Sequence, residues 1–221
     1  MKVARFRTWL SLAAVGLAVA GPMAAHAANV DAGLYAAAPP PNSVFIRIVA
    51  ASSDGKPITA VIGKANYTAA SGAASAYKII PAGNQLIHVG GASKALGLVD
   101  GQYYTVVVSG TQARPSATLI QDPKLDSKIK GLITFYNLTG RASLTLKTSD
   151  GKAEVVSAVA PLHVGSRSVN SATTGFAVVD GGSVLGTLPA ETIERGNAYS
   201  SIVSEAGGKV KVIWVRSEIA H

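Results

Sequence analysis

"SVFIRIV", residues 43–49, decides what kind of chain this is. Val44, Ile46 and Ile48 alternate with Phe45, Arg47 and Val49, the period of two that belongs to a β-strand. The same period returns along the chain. Ile58, Ala60 and Ile62 alternate with Thr59 and Val61, and Val106 and Val108 follow Tyr104. Leu132, Thr134 and Tyr136 come next, then Leu144 and Leu146 against Thr145 and Lys147. The last is Val210, Val212 and Trp214 against Lys209 and Lys211. Each reads as a half-buried strand, one face on a core and one in water. No segment sustains a 3.6-residue period with caps, so the expected fold is all-β.

The turns agree. Four of the seven aspartates, Asp54, Asp100, Asp150 and Asp180, precede glycine. Asp-Gly supplies the positive φ that tight hairpins demand. That accounts for most aspartates without invoking chemistry, and Asp122-Pro123 is turn-like as well.

The pattern breaks once, in "SGTQARPSATLIQDPKLDSK", residues 109–128, with two prolines, small polar residues and mixed charge. It reads as a linker holding at most a short strand at Ala117–Ile120. On either side the pattern restarts. "DGQYYTVVV" in the first half is answered by "ERGNAYSSIVS" in the second, with Gly101–Tyr104 and Gly196–Tyr199 sharing G-x-x-Y spacing. Two similar β modules are the economical reading. "SDGK" also occurs twice, at 53–56 and 149–152, but at different points of the strand order, so it marks turn chemistry alone. The expected boundaries are a signal peptide at 1–27, an extended leader at 28–42, a β-sandwich-like domain at 43–109, a linker at 110–129 and a second β-sandwich-like domain at 130–221.

The first residues are an export signal rather than fold. Lys2, Arg5 and Arg7 precede an apolar stretch from Trp9 to Ala20, and Ala25-His26-Ala27 is a cleavage site. The stretch is too short to span a bilayer, and no later segment is long and apolar enough. Three of the 20 basic residues and none of the 12 acidic ones precede the cut, so the net charge falls from +8 to +5. That excess is scattered and forms no nucleic-acid stripe, though it suits contact with a polyanion. There are no cysteines, which excludes disulfides and thiol chemistry.

Catalytic patterns are missing too. His88 in "LIHVGG" and His163 in "PLHVGS" lie before glycines, as if at equivalent strand ends, and His221 is the last residue. There is no G-x-S-x-G elbow, no D-x-x-H pair and no H-E-x-x-H. No catalytic residue, metal ligand or cofactor is expected. Tyr103 and Tyr104 point to opposite faces of one strand, so one ring is expected to face outward, either as plain sheet surface, which strands favour in any case, or as a sugar or partner contact.

The residues also resemble a family. "LYAAAPPPNSVFIRIVAAS", "DGQYYTVVV" and "IQDPKLDSKIKGLITFYNLT" are similar, in order and spacing, to the AlgF family of alginate O-acetylation proteins. Leu34, Tyr35, Pro40, Ser43, Phe45, Arg47, Tyr103, Tyr104 and Tyr136-Asn137-Leu138-Thr139 carry the likeness, which runs from about residue 33 to 219. The Ala-rich leader and Ile48-Val49-Ala50 depart from that family's pattern. The resemblance implies a non-catalytic periplasmic accessory protein of two sandwich-like domains. Its partners would be periplasmic and membrane-bound polysaccharide O-acetyltransferase proteins, with an acidic polysaccharide as a further contact. The alternative is a pair of carbohydrate-binding modules that hold the polymer. The expected contact residues are Leu34, Tyr35, Arg47, Tyr103 and Tyr104.

Overall fold

The computed structural model describes residues 39–206 and 208–220. The expected signal peptide, Leu34 and Tyr35 lie outside them. The described chain is all-β and forms two sandwich-like modules of eight strands each.

The first module contains β1 (Ser43–Ser52), β2 (Ile58–Ile62), β3 (Ala65–Ala69), β4 (Lys78–Pro81), β5 (Gly83–Val89), β6 (Ala92–Leu98), β7 (Tyr103–Gly110) and β8 (Pro115–Asp122). The second contains β9 (Gly131–Leu138), β10 (Leu144–Thr148), β11 (Glu154–Val159), β12 (His163–Val169), β13 (Ala172–Asp180), β14 (Ser183–Ile193), β15 (Ala198–Ala206) and β16 (Lys209–Arg216). The first sandwich pairs a sheet of order β4-β1-β7-β8 with one of order β3-β2-β5-β6. The second pairs β12-β9-β15-β16 with β11-β10-β13-β14. Adding eight to each strand of the first module gives the second. The repeat extends to register: β1 runs parallel to β7 with Ile46 beside Tyr104, as β9 runs parallel to β15 with Ile133 beside Tyr199.

The G-x-x-Y motif has the same role in both modules. Tyr104 Oη accepts from the Val99 amide at 3.0 Å, and Tyr199 Oη accepts from the Glu194 amide at 3.0 Å. Each tyrosine thus ties the turn before its strand to the strand itself and satisfies an otherwise orphaned donor. All four Asp-Gly glycines have positive φ, as expected: Gly55 74°, Gly101 70°, Gly151 71° and Gly181 55°.

Three expectations are corrected. Residues 110–129 are not a bare linker, because β8 occupies Pro115–Asp122 and pairs with β7 along its whole length. The central strands are not half-buried: every residue of β1 and of β9 is buried. Val44, Ile46, Ile48 and Ala50 pack into the first sandwich. Phe45 and Val49, on the other face, pack instead against Leu132, Ala198, Tyr136 and Ile202 of the second module. The two sheets containing β1 and β9 therefore stack on each other, giving four layers. A strand buried on both faces loses polar alternation, which is why "VFIRIVAA" and "LITFYNL" are nearly continuous apolar runs. Finally, His88 and His163 are not equivalent: His88 lies within β5, while His163 opens β12, the counterpart of β4. Their shared H-V-G context reflects local chemistry, not topology.

Candidate functional site: a buried polar node between the modules

Where the two inner sheets meet, an arginine is sealed inside. Arg47 sits at the middle of β1 on the face turned to the second module, with 1% of its surface exposed. Its Nε donates to Thr105 Oγ1 at 3.0 Å, and its Nη2 donates to Tyr136 Oη at 3.1 Å and Ser200 Oγ at 2.8 Å. The guanidinium also lies over the Tyr77 ring, 4.5 Å from its centroid.

Asp122, the last residue of β8, supplies the opposite charge. It accepts from Tyr77 Oη, Thr105 Oγ1 and Tyr136 Oη, each at 2.7 Å. Thr105 and Tyr136 therefore bridge arginine and carboxylate. Burial opposes the charge on Arg47, but Tyr77, Tyr136 and Asp122 outweigh it and hold its pKa above the ordinary arginine value. Burial drives the Tyr77 and Tyr136 hydroxyls upward, so both stay protonated as donors.

This arrangement is charge-balanced and densely hydrogen-bonded. A buried charge is tolerated only when paired and hydrogen-bonded. The duplicated fold exposes its origin. By register, Thr134 stands in the second module where Arg47 stands in the first, and Ser200 where Thr105 stands. Ser217 stands opposite Ala198 as Asp122 does opposite Tyr103, and Ser200 and Ser217 meet at 3.5 Å. One module presents ions and the other hydroxyls across the same contact.

Around the node the join is apolar. Phe45 stacks on Tyr103 with centroids 4.7 Å apart, and Tyr77 meets Tyr103 edge-on at 5.8 Å. Leu125 and Leu132 complete this cluster, and Val49, Val107, Ile120, Tyr136, Leu138 and Ile202 form another. The chain's end adds a clamp: Tyr77 N donates to Glu218 O at 2.9 Å, and Ala220 N donates to Tyr77 O at 2.7 Å.

The described candidate contact residues thus lie in the interior. Tyr103 and Tyr104 do point to opposite faces, but neither ring faces outward: they are 7% and 3% exposed. Tyr104 enters the first sandwich core, and Tyr103 enters the join, where burial pushes its pKa up to about 12. The second module covers the face that the sequence leaves to water. Asp122 and Tyr77 carry the node without any local signal in the sequence. The only hint is an arginine at an apolar position of a strand, which requires a countercharge.

Elsewhere, Asn137 of "YNLT" is fully buried and works as a structural knot. Its Nδ2 donates to Arg141 O and Val159 O, both at 2.9 Å, and its Oδ1 accepts from the Thr139 hydroxyl at 2.7 Å. Ser93 Oγ and His88 Nδ1 lie 2.7 Å apart on an exposed sheet face. The imidazole's cross-strand neighbour on the other side is Val61, which cannot orient it. His163 Nδ1 donates to Pro161 O at 2.7 Å. Among the described residues no cluster of three or more potential metal ligands occurs, and no helix is long and apolar enough to cross a membrane.

The comparisons with known proteins agree with one another. The family model described as "Alginate O-acetyl transferase AlgF" matches residues 14–200. An alginate biosynthesis protein AlgF of Pseudomonas putida is 34% identical over 212 residues, covering 96% of this chain and 94% of that protein. The Pseudomonas aeruginosa protein of the same name is 34% identical over 217 residues, covering 97% of this chain and 96% of its own. The solved C-terminal domain of AlgF from P. aeruginosa is 38% identical, with a TM-score of 0.37, and covers 40% of this chain and 99% of that domain. The chain that carries "SVFIRIV", "DGQYYTVVV" and "GLITFYNLT" thus belongs to the AlgF family.

Proposed function

We propose that this protein is a non-catalytic periplasmic adaptor in the O-acetylation of an exported acidic polysaccharide, alginate in its relatives. It would hold membrane-bound and periplasmic acetyl-transfer proteins at a set separation. The carrying observation is the buried Arg47–Asp122 node, which ties two modules into one four-layer body. A rigid body with separate outer faces suits positioning, because preset geometry raises the effective concentration of whatever it holds. The family's description supplies the acetylation context. The side chains of greatest chemical potential, Arg47, Asp122, Tyr77 and Tyr136, are committed to one another inside the join.

The test has two arms. Deleting the gene should abolish polymer acetylation, read by NMR of the purified polysaccharide, and the intact gene should restore it. The purified protein should show no hydrolysis of an acetyl ester reporter. Robust hydrolysis that disappears in His163→Ala or His88→Ala would make the protein an enzyme and sink the adaptor reading.

A further inference from the structure

The duplicated fold allows interior positions to be compared with their counterparts, and at one of them the second module has a smaller side chain and an open space. In the first module Ile46 pairs with Lys78, and in the second Ile133 pairs with Arg167. Lys78 Nζ donates to Asn66 O at 2.7 Å, and Arg167 Nη1 donates to Glu154 O at 2.6 Å. Val61 pairs with Asn66 as Lys147 pairs with Glu154. The two cations and the two carbonyls are therefore equivalent. Beyond them the registers part: Tyr67 follows Asn66 and pairs with Ala60, whereas in the second module a bulge inserts Val155 between Glu154 and Val156, and it is Val156 that pairs with Leu146.

Tyr67 fills its place. It is 1% exposed, packs with Ile46, Ile62, Ile80, Ile87 and Leu98, and lies beneath Lys78 with Nζ 5.4 Å from the ring centroid. Val155 cannot fill the same place, and Thr148 stands where Ile62 stands. What remains is a cleft of about 370 Å³ at the end of the second sandwich, floored by Ile133, Val155, Phe176 and Ile193. Phe176 lines the cleft with its ring held in place by stacking on Trp214, 4.8 Å between centroids. The mouth carries exposed Lys130 and Arg167. The nearby acid, Glu154, is paired with Lys147 at 3.0 Å.

We propose that this cleft is a docking slot for an aromatic side chain carried on an acidic segment of a partner protein. The first module shows the occupant's shape: a tyrosine ring under a cation, between two sheets. Lys130 and Arg167 select acidic flanks. A bulky aromatic in a preformed pocket is the usual energetic anchor of a protein interface. That the segment comes from a partner rests on the adaptor reading above.

The test uses the full mature chain, with p-cresol as the bare tyrosine side chain, and two peptides, acetyl-Glu-Asp-Tyr-Glu-amide and acetyl-Lys-Lys-Tyr-Lys-amide. Amide shifts on titration should map p-cresol to Val155, Arg167 and Phe176. The acidic peptide should bind about tenfold more tightly than the basic one. Val155→Tyr should put a tyrosine ring of the chain's own into the cleft and weaken both p-cresol and the acidic peptide by about tenfold or more. Lys130→Glu, a surface change, should remove the preference for acidic flanks and leave p-cresol binding intact, which keeps the test valid should Val155→Tyr fold poorly. Shifts mapping elsewhere, or Val155→Tyr binding as the parent does, overturn the slot. A chain starting at Pro39 that binds the peptide while the chain from Ala28 does not would assign the slot to the protein's own leader and overturn the partner. If Val155→Tyr blocks the peptide yet acetylates polymer normally in cells, the slot has no part in partner holding, while the adaptor reading stands. If gene deletion leaves acetylation unchanged, the adaptor reading fails, and so does the partner drawn from it, while p-cresol binding still judges the slot itself.

Discussion

Arg47 of the first module and Ser200 of the second lie 153 residues apart in sequence and 2.8 Å apart in space. The arginine's other donors go to Thr105 in its own module and Tyr136 across the join. Around it the two modules bury a continuous apolar contact, so a charge placed there is also a statement about register. Sliding one sheet past the other would break Arg47's bonds to Tyr136 and Ser200 and the bond from Tyr136 to Asp122.

Removing the arginine should therefore be costly. Arg47→Ala leaves Asp122 with its charge uncompensated and opens a cavity. The expected loss is about 3–5 kcal/mol, the usual result of breaking a buried ion pair from one side. Urea denaturation measures it directly. Arg47→Met combined with Asp122→Asn should cost less than Arg47→Ala alone. A loss under about 1 kcal/mol for the single variant would mean that the node contributes no more than a surface pair.

The paired tyrosine corners give an internal control. Tyr104→Phe and Tyr199→Phe each remove one hydrogen bond, to the Val99 and Glu194 amides respectively. Each should cost about 1 kcal/mol. Because they lie in different modules without shared partners, the double variant should lose the sum of the two. Strong non-additivity would show that the corners are coupled through the join.

Alkaline titration reads the buried hydroxyls. Burial raises Tyr67, Tyr77 and Tyr136 above the ordinary tyrosine value. A group with a raised folded pKa contributes stability that is complete below its unfolded pKa, about 10 for tyrosine, and is lost as pH climbs towards the folded value. Unfolding should accordingly set in above pH ~10, with these phenols ionising together with it. Ultraviolet absorbance followed alongside circular dichroism checks this. Complete tyrosine ionisation with the fold intact would contradict the burial.

Acid titration reads two turns. The Ser52 hydroxyl, then the Lys56 amide, lower Asp54, and the Thr148 hydroxyl, then the Lys152 amide, lower Asp150. Their contribution is present above the unfolded aspartate pKa of about 3.9 and is lost as pH falls through the depressed folded values. Asp54→Asn and Asp150→Asn should flatten the acid limb of the stability curve and leave its neutral region less stable. An unchanged acid limb in both variants would refute the linkage.

Much of the fold was legible from periodicity. Alternation in "SVFIRIV" identifies a strand, and Asp-Gly places hairpin turns because few other pairs reach positive φ cheaply. The G-x-x-Y pairs revealed the duplication, since the same local bond recurs in each module. The match of one edge strand, β8, was hidden by Pro115, Pro123 and small polar residues. A proline is tolerated at the ends of an edge strand, where no partner needs its amide.

By itself, then, the sequence determined an all-β chain, its turns and its two repeated halves, because these follow from side-chain period and local backbone preference. Only the tertiary structure decided what the second face of β1 and β9 meets. Whether an apolar or aromatic side chain faces water or another sheet depends on residues far along the chain, as Phe45 does on Leu132 and Ala198, and no local pattern encodes that. Arg47, Tyr103 and Tyr104 look like contact residues along the chain. Folding turns them into interior ones, because burying the join removes apolar surface from water and leaves Arg47 no partner but the node.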